Sequence, residues 1–270
     1  MNRPLEPSGW NLRELLFALL IGCIYVFLTL PSILTIPISF GGATSLTFPP
    51  RTFSFELYER FFSSPVWTGS LVESLIVGCG TAMLATLIGS LAAFGLVRGA
   101  FPGQKLVGVI LLSPILVPSI VIALGVYFYF SQLGLIGTTS GLVLAHSLLT
   151  IPYVIVVVTS GLKQIDQNVE TAAAVMGATP MAIYTRVVVP QIWYSLASAF
   201  LFAFLISFDE VVISWFIAGT SATTLPVVMY SSLKVEVAPE IAAAATMLAL
   251  TSIAIILFYA AFQKPEEREN

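Results

Sequence analysis

A chain of 270 residues that is 57% hydrophobic and 9% charged, with mean hydropathy +0.97, is not a soluble domain and has to meet hydrocarbon. The net charge of −3 excludes little, because membrane orientation follows Lys and Arg rather than the balance of charge. The apolar runs are continuous rather than alternating, which excludes a β-barrel and predicts an all-α integral membrane protein.

Six runs are long and apolar enough to cross about 30 Å of hydrocarbon, which takes roughly 20 helical residues. The first, Leu15–Ile36, lacks a small-residue cleavage site and reads as a retained span. A different kind of sequence follows over 37–70, with Gly41-Gly42, Pro49-Pro50 and an aromatic amphipathic stretch, Phe53–Phe62, carrying Glu56, Glu59 and Arg60. It is expected to rest at the interface and form part of an outer vestibule. In the second run, Leu71–Val97, residues Gly78, Ala82, Ala85, Gly89, Ala92 and Ala93 make a small-residue stripe that admits another helix at close range.

The third run, Leu106–Phe130, contains Ser113-Pro114 and Pro118, two prolines one turn apart. Each removes a backbone donor and strains the preceding turn, which predicts either a packed kink or a helix lining a pathway. The fourth, Gly141–Leu162, holds the single histidine, His146, expected to be a hydrogen-bonded packing element. The fifth, Ile192–Ala218, carries Asp209 and Glu210 deep in its apolar sequence. A carboxylate there costs about 2.5–3.5 kcal/mol on insertion scales, so such residues face a bundle interior or water. Adjacent helical residues point about 100° apart; one of the pair can face a cavity while the other pairs with protein. The sixth, Ile241–Phe262, shows a weaker stripe in Ala242, Ala245 and Ala249. Cys23 and Cys79 fall within runs and read as small core residues, without disulfide or metal spacing.

Between the fourth and fifth runs lies the moderately polar segment 164–191. Asp166 caps a first short helix whose apolar positions Val169, Ala172, Ala173 and Met176 share a face, and Gly177 suits the left-handed residue that ends it. Thr179 caps a second helix, Pro180 fits its first turn and Pro190 stops it. With both termini inside, Arg3, Arg13, Arg98, Lys105, Lys163, Arg186, Lys264 and Arg268 lie on the cytoplasmic face, against Arg51, Arg60 and Lys234 outside. That bias puts the 164–191 segment in the cytoplasm.

This segment resembles the signature loop of ABC importer permeases: Glu-Ala-Ala, three residues, Gly, nine residues, Ile-x-Leu-Pro. The chain has Thr171-Ala172-Ala173, Gly177-Ala178 and Val187-x-Val189-Pro190 at that spacing; Thr171 replaces the glutamate and Glu170 stands immediately before it. Further segments are similar to the spermidine/putrescine group of these permeases. They are Leu96–Gly103, Leu112-Ser113-Pro114, His146 with Pro152-Tyr153, Ser207-Phe208-Asp209-Glu210, and Thr224-Leu225-Pro226 leading to Pro239-Glu240.

The resemblance implies a type I importer fold of six spans with cytoplasmic termini, one permease domain over 1–270, and an inner-membrane location in a bacterium. It implies that Glu170, Thr171, Ala172, Ala173, Gly177, Ala178 and Pro190 couple the chain to an ATPase. Asp209 or Glu210, with Ser113, Pro114 and Pro118, would line the solute passage. The implied partners are a second permease, two nucleotide-binding subunits that carry ATP and Mg, and a periplasmic solute-binding protein. The expected solute is a polyamine. One position departs: Ile115 stands where some polyamine members have an acid, and similar relatives handle opines, organophosphonates and other small polar solutes.

No stretch reads G-x-x-x-x-G-K-[ST], so the chain is not expected to hydrolyse ATP, to bind a cofactor or to be an enzyme. Two other classes fit less well. A secondary transporter or channel would need its own coupling residues or filter and typically inverted repeats. An intramembrane hydrolase would need a nucleophile and base in reach, and His146-Ser147 are helical neighbours that do not face each other.

Overall fold

The computed structural model describes residues 12–42, 47–219, 221–235 and 238–262, and among these it is helical without strands. Arg3, Lys264 and Arg268 lie outside the described residues. In chain order the helices are α1 Leu12–Ser39, α2 Glu56–Ser63, α3 Pro65–Arg98, α4 Gln104–Leu112, α5 Ser119–Leu133 and α6 Thr139–Gln164. They continue with α7 Gln167–Val175, α8 Pro180–Ile183, α9 Val189–Gln191, α10 Trp193–Phe208, α11 Val212–Ile217, α12 Leu225–Val235 and α13 Glu240–Phe262.

Three of these, α1, α3 and α6, are single helices long and apolar enough to cross a membrane. The third expected span is broken, and the fifth is bent at its start and interrupted again after Phe208. The stretch Gln104–Leu116 meets α5 at 104°, and Pro180–Gln191 meets α10 at 77°. Among the described residues there are therefore three continuous helices long and apolar enough to span, or up to five if each bent pair counts as one; the sixth expected run falls on α13.

Two compact units result. The first takes Met1–Ser63 and Val237–Phe258; the second takes Ser64–Glu236 and Tyr259–Asn270. In the first, α1 exposes an apolar surface along its length, as a helix facing lipid or a partner does. The aromatic stretch expected to lie on the interface is anchored on one face. Leu57 and Phe61 are fully buried, and Leu57 packs on Ala242 and Ala243 of α13, while Phe53, Phe55 and Phe62 stay exposed. The Ser39 hydroxyl meets the Tyr58 hydroxyl at 2.7 Å, and Arg60 pairs with Glu56 at 2.9 Å and approaches Glu240 at 4.0 Å. Ala242 of the weak stripe thus serves a contact within the chain.

The second unit is built around α3, against which α6 and α10 pack. The small-residue stripe explains why. Gly78, Ala82, Ala85, Gly89 and Ala93 are all buried. A Cβ at Gly89 would stand 2.6 Å from Val154 Cγ1 on α6, and one at Gly78 would stand 2.9 Å from Phe204 Cε2 on α10. The α6–α10 contact uses the same device, since a Cβ at Gly161 would collide with Ser195. The cysteines are a correction: Cys23 and Cys79 are both exposed and not core residues.

The stripe yields a test. Gly89→Ala should destabilise the detergent-solubilised protein by about 1–3 kcal/mol, because Val154 and the Ile151 carbonyl behind it must give way. Gly95→Ala, with nothing within 4 Å, should leave the thermal midpoint unchanged or raise it. Equal behaviour of the two variants would contradict the close approach of α3 and α6.

Candidate functional site

The two breaks follow from local backbone chemistry. Pro114 cannot donate to the Ile110 carbonyl, which instead accepts from the Ser113 hydroxyl at 2.8 Å and from the Ser113 amide. The chain tightens into a 3-10 turn over Ser113–Leu116, and Val117, ahead of Pro118, is extended at φ −89, ψ 129. Pro118 then sits before the first turn of α5 and its carbonyl accepts from Val121 at 2.9 Å. Two prolines one turn apart thus make a 104° redirection, sharper than the kink expected. Ser113 and Pro118 are exposed and Pro114 is half-buried.

The fifth span ends at Phe208, so Asp209 and Glu210 are not mid-helix residues as expected. They form the non-helical joint between α10 and α11. The structure separates the two acids. Glu210 is half-buried and its Oε1 accepts from the Ile213 amide at 2.9 Å, capping the start of α11. Asp209 is exposed.

Past the joint, α11 packs on α5 and α6. Ile213, Ile217, Ala123, Val126, Leu142, Ala145 and Leu149 close an apolar cluster there. The second halves of both broken spans thus lean on each other, and α6 touches both breaks, since the Ser113–Leu116 turn also packs on it. The residues expected to line the passage, Ser113, Pro114, Pro118, Asp209 and Glu210, fall on two joints and not on one helix face.

His146 of α6 is fully buried beside this cluster. Its Nδ1 lies 2.8 Å from the Ser207 hydroxyl on α10 and its Nε2 lies 2.9 Å from the Ser214 hydroxyl on α11. The expectation of a hydrogen-bonded packing residue is met.

At another place on α6, the 164–191 segment folds as two short helices. Asp166 accepts from the Asn168 amide at 2.9 Å to begin α7. The end of α7 is a Schellman arrangement: Ala178 N–H to the Ala173 carbonyl at 3.1 Å, Gly177 N–H to the Ala174 carbonyl at 3.0 Å, and Gly177 at φ +88. Thr179 accepts from the Ala182 amide at 3.3 Å, with Pro180 in the first turn of α8.

Pro190 does not stop the run. The backbone widens into a π-helical turn over Tyr184–Val188, and the Gln191 side chain donates to the Val187 carbonyl at 2.8 Å. The bend comes two residues after Pro190, at Ile192.

The apolar face expected on α7 also divides. Of its four residues Ala173 is buried, whereas Val169, Ala172 and Met176 are exposed, as is the neighbouring Val175.

One residue that sequence reasoning missed organises this end of the protein. Arg98, the last residue of α3, reaches Glu170 of α7 at 2.7–2.8 Å and donates to the Leu162 carbonyl of α6 at 2.9 Å. Both partners are mostly buried, at 11% and 15% side-chain exposure, so this pair is shielded in a way that surface pairs are not. The acid stands one place ahead of the motif position, about 100° round the helix, which the sequence shows without naming its partner. Arg98 also lines a cleft of about 820 Å³ with Lys105, Lys163, Gln104, Thr159 and Ser160. Three of the basic residues assigned to one membrane face therefore converge at one end of the fold.

Residues 85–265 match the sequence profile of the binding-protein-dependent transport system inner membrane component. The chain belongs to this family. It is the membrane subunit of an ABC importer, not its ATPase, and it is an inner-membrane protein. A spermidine/putrescine transport system permease of Haemophilus influenzae is 32% identical over 87% of the chain and 91% of that protein. A putrescine transport system permease of Escherichia coli is 31% identical over 96% of the chain and 92% of that protein. A bacterial ABC transporter involved in import of the acidic polysaccharide alginate shares the fold at TM-score 0.77 and 15% identity, covering 97% of this permease and all of that chain.

The Arg98–Glu170 pair carries a prediction. Glu170→Gln and Arg98→Gln should each destabilise the permease by about 1.5–3 kcal/mol, and the double variant should cost little more than either. A double-mutant cycle by thermal unfolding measures this; additive losses would mean that the two side chains do not act together.

Proposed function

We propose that this permease carries a small cationic solute, a polyamine of the putrescine/spermidine class, into the cytoplasm by alternating access. It would work with a second permease, two nucleotide-binding subunits holding ATP and Mg, and a periplasmic solute-binding protein. The observation that carries the solute class is the division of labour at the fifth-span joint. Glu210 is committed to capping α11, while Asp209 is exposed at a break in the backbone. Irregular backbone at membrane depth is tolerated where it is buried in protein or lines a water-filled cavity, and a carboxylate there suits an ammonium group. The similarity to permeases named for spermidine and putrescine supports the same class.

Energy would enter at α7 and α8. The exposed stripe Val169, Ala172, Val175 and Met176 is an apolar ridge suited to a groove on the ATPase, and the Arg98–Glu170 pair holds the ridge to α3 and α6. Closure of the ATPase pair would push this lever and rock the spans so that the passage opens outward. The segment would then be cytoplasmic, with 1–270 acting as one permease domain of six spans.

A second reading stays within the same importer class. Ile115 supplies no acid at the third-span break, so Asp209 is the one uncommitted carboxylate of the acidic pair. A solute with one cationic centre, such as an opine, also fits that arrangement.

ATP hydrolysis by the complete complex in lipid with its binding protein distinguishes them. Stimulation by putrescine or spermidine supports the first reading, and stimulation by opines or phosphonates alone removes it. Asp209→Asn should raise the half-saturating polyamine concentration about tenfold, the effect of roughly one charge-assisted hydrogen bond, whereas Glu210→Gln should shift it less. Unchanged kinetics for Asp209→Asn would dismiss the counter-ion role. Gly177→Arg should leave the permease in the membrane but lower solute moved per ATP hydrolysed, since φ +88 disfavours any side chain and the ridge ends there. Wild-type stoichiometry in that variant would remove the coupling assignment.

A further inference from the structure

The joint that presents Asp209 has a buried anchor. Ser207 is the penultimate residue of α10 and Ser214 lies in α11, so the two hydroxyls flank the non-helical stretch Asp209–Val211. Both contact one imidazole, that of His146, from a third helix. The three side chains are at 0%, 4% and 0% exposure for His146, Ser207 and Ser214, so water does not compete for these bonds. A serine hydroxyl can donate or accept, so either neutral tautomer of the ring serves both serines at once.

The apolar cluster cannot supply this precision alone. Ala145 and Leu149, on either side of His146, press on Ile213 and Ile217, and such contacts tolerate sliding. Two short hydrogen bonds to opposite sides of a joint do not. A small rotation of α11 against α10 breaks one of them and leaves a polar atom buried without a partner, which costs more than the bond itself contributes.

We infer that His146 is a positioning residue for transport, a buried post that holds the fifth-span joint in the geometry where Glu210 folds back onto α11 and Asp209 projects outward. Its effect on solute rests on the reading of Asp209 as counter-ion; its effect on the joint does not.

The two bonds can be removed separately, because an asparagine amide replaces Nδ1 and a glutamine amide replaces Nε2. His146→Asn keeps the Ser207 contact, and His146→Gln keeps the Ser214 contact. In the reconstituted importer, His146→Asn and Ser214→Ala should each raise half-saturation for putrescine or spermidine about five- to tenfold at unchanged amounts of assembled complex. Adding Ser214→Ala to His146→Asn should change nothing further, since Asn does not reach Ser214. Additive losses would overturn the bridge.

A solute-independent readout accompanies this. In an Asp209→Cys variant lacking Cys23 and Cys79, the labelling rate by an impermeant thiol reagent should change several-fold on His146→Ala. If His146→Ala destabilises the complex, Ser214→Ala provides the same readout with one hydroxyl removed. Altered labelling with unaltered polyamine kinetics would keep His146 as the post and remove Asp209 from solute binding. Unaltered labelling in both variants would overturn the inference, whatever Asp209→Asn does.

Discussion

Hydrocarbon offers no partner to a backbone amide or carbonyl, and that constraint organises this permease. Each place where a helix stops inside the fold has to settle its own hydrogen bonds. At the third-span break the Ser113 hydroxyl takes over the carbonyl that Pro114 cannot serve. At the fifth-span break the Glu210 carboxylate takes the Ile213 amide, and near Pro190 the Gln191 side chain takes the Val187 carbonyl. At each of these three places a local side chain compensates the interruption. The breaks are therefore stable features of the fold.

Around these breaks, α6 is the common reference. Its Gly161 and its Val154 and Ile151 surface receive α10 and α3 at close range, and its middle carries His146. Its far end, at Leu162, receives Arg98. His146 and Leu162 stand sixteen residues apart on α6, about 24 Å along the axis. One helix thus connects the acidic joint to the α7 ridge.

Much of this was legible in the residues. The glycine and alanine stripe on α3 marked the close approach correctly, because a missing Cβ has no substitute in helix packing. Asp166, Gly177 and Thr179 specified the ends of α7 and α8, because caps are chemically local. The joint at Asp209 was not legible, since apolar sequence runs on either side of it and hydropathy does not register backbone direction. An acid pair directly before an apolar run is also a helix-start signal, and that reading would have found it. The Arg98–Glu170 pair joins residues 72 apart, and such contacts are properties of the packed helices, not of any window of sequence. The burial expected of Cys23 and Cys79 followed from an assumption that small apolar residues face inward, and the structure exposes both.

The Arg98 contacts have a mechanical meaning. Because one guanidinium ties α7 to the ends of both α3 and α6, a displacement applied at α7 finds little give where it is applied. Elements loaded in series deform most where they are most compliant. In this chain the bend at Ile192 has no side-chain cap, whereas the non-helical stretch Asp209–Val211 is pinned by His146 and Glu210. A stiff attachment at one end of α6 therefore leaves the Ile192 bend to yield first, while the joint that carries the exposed carboxylate moves as a unit with its buried histidine.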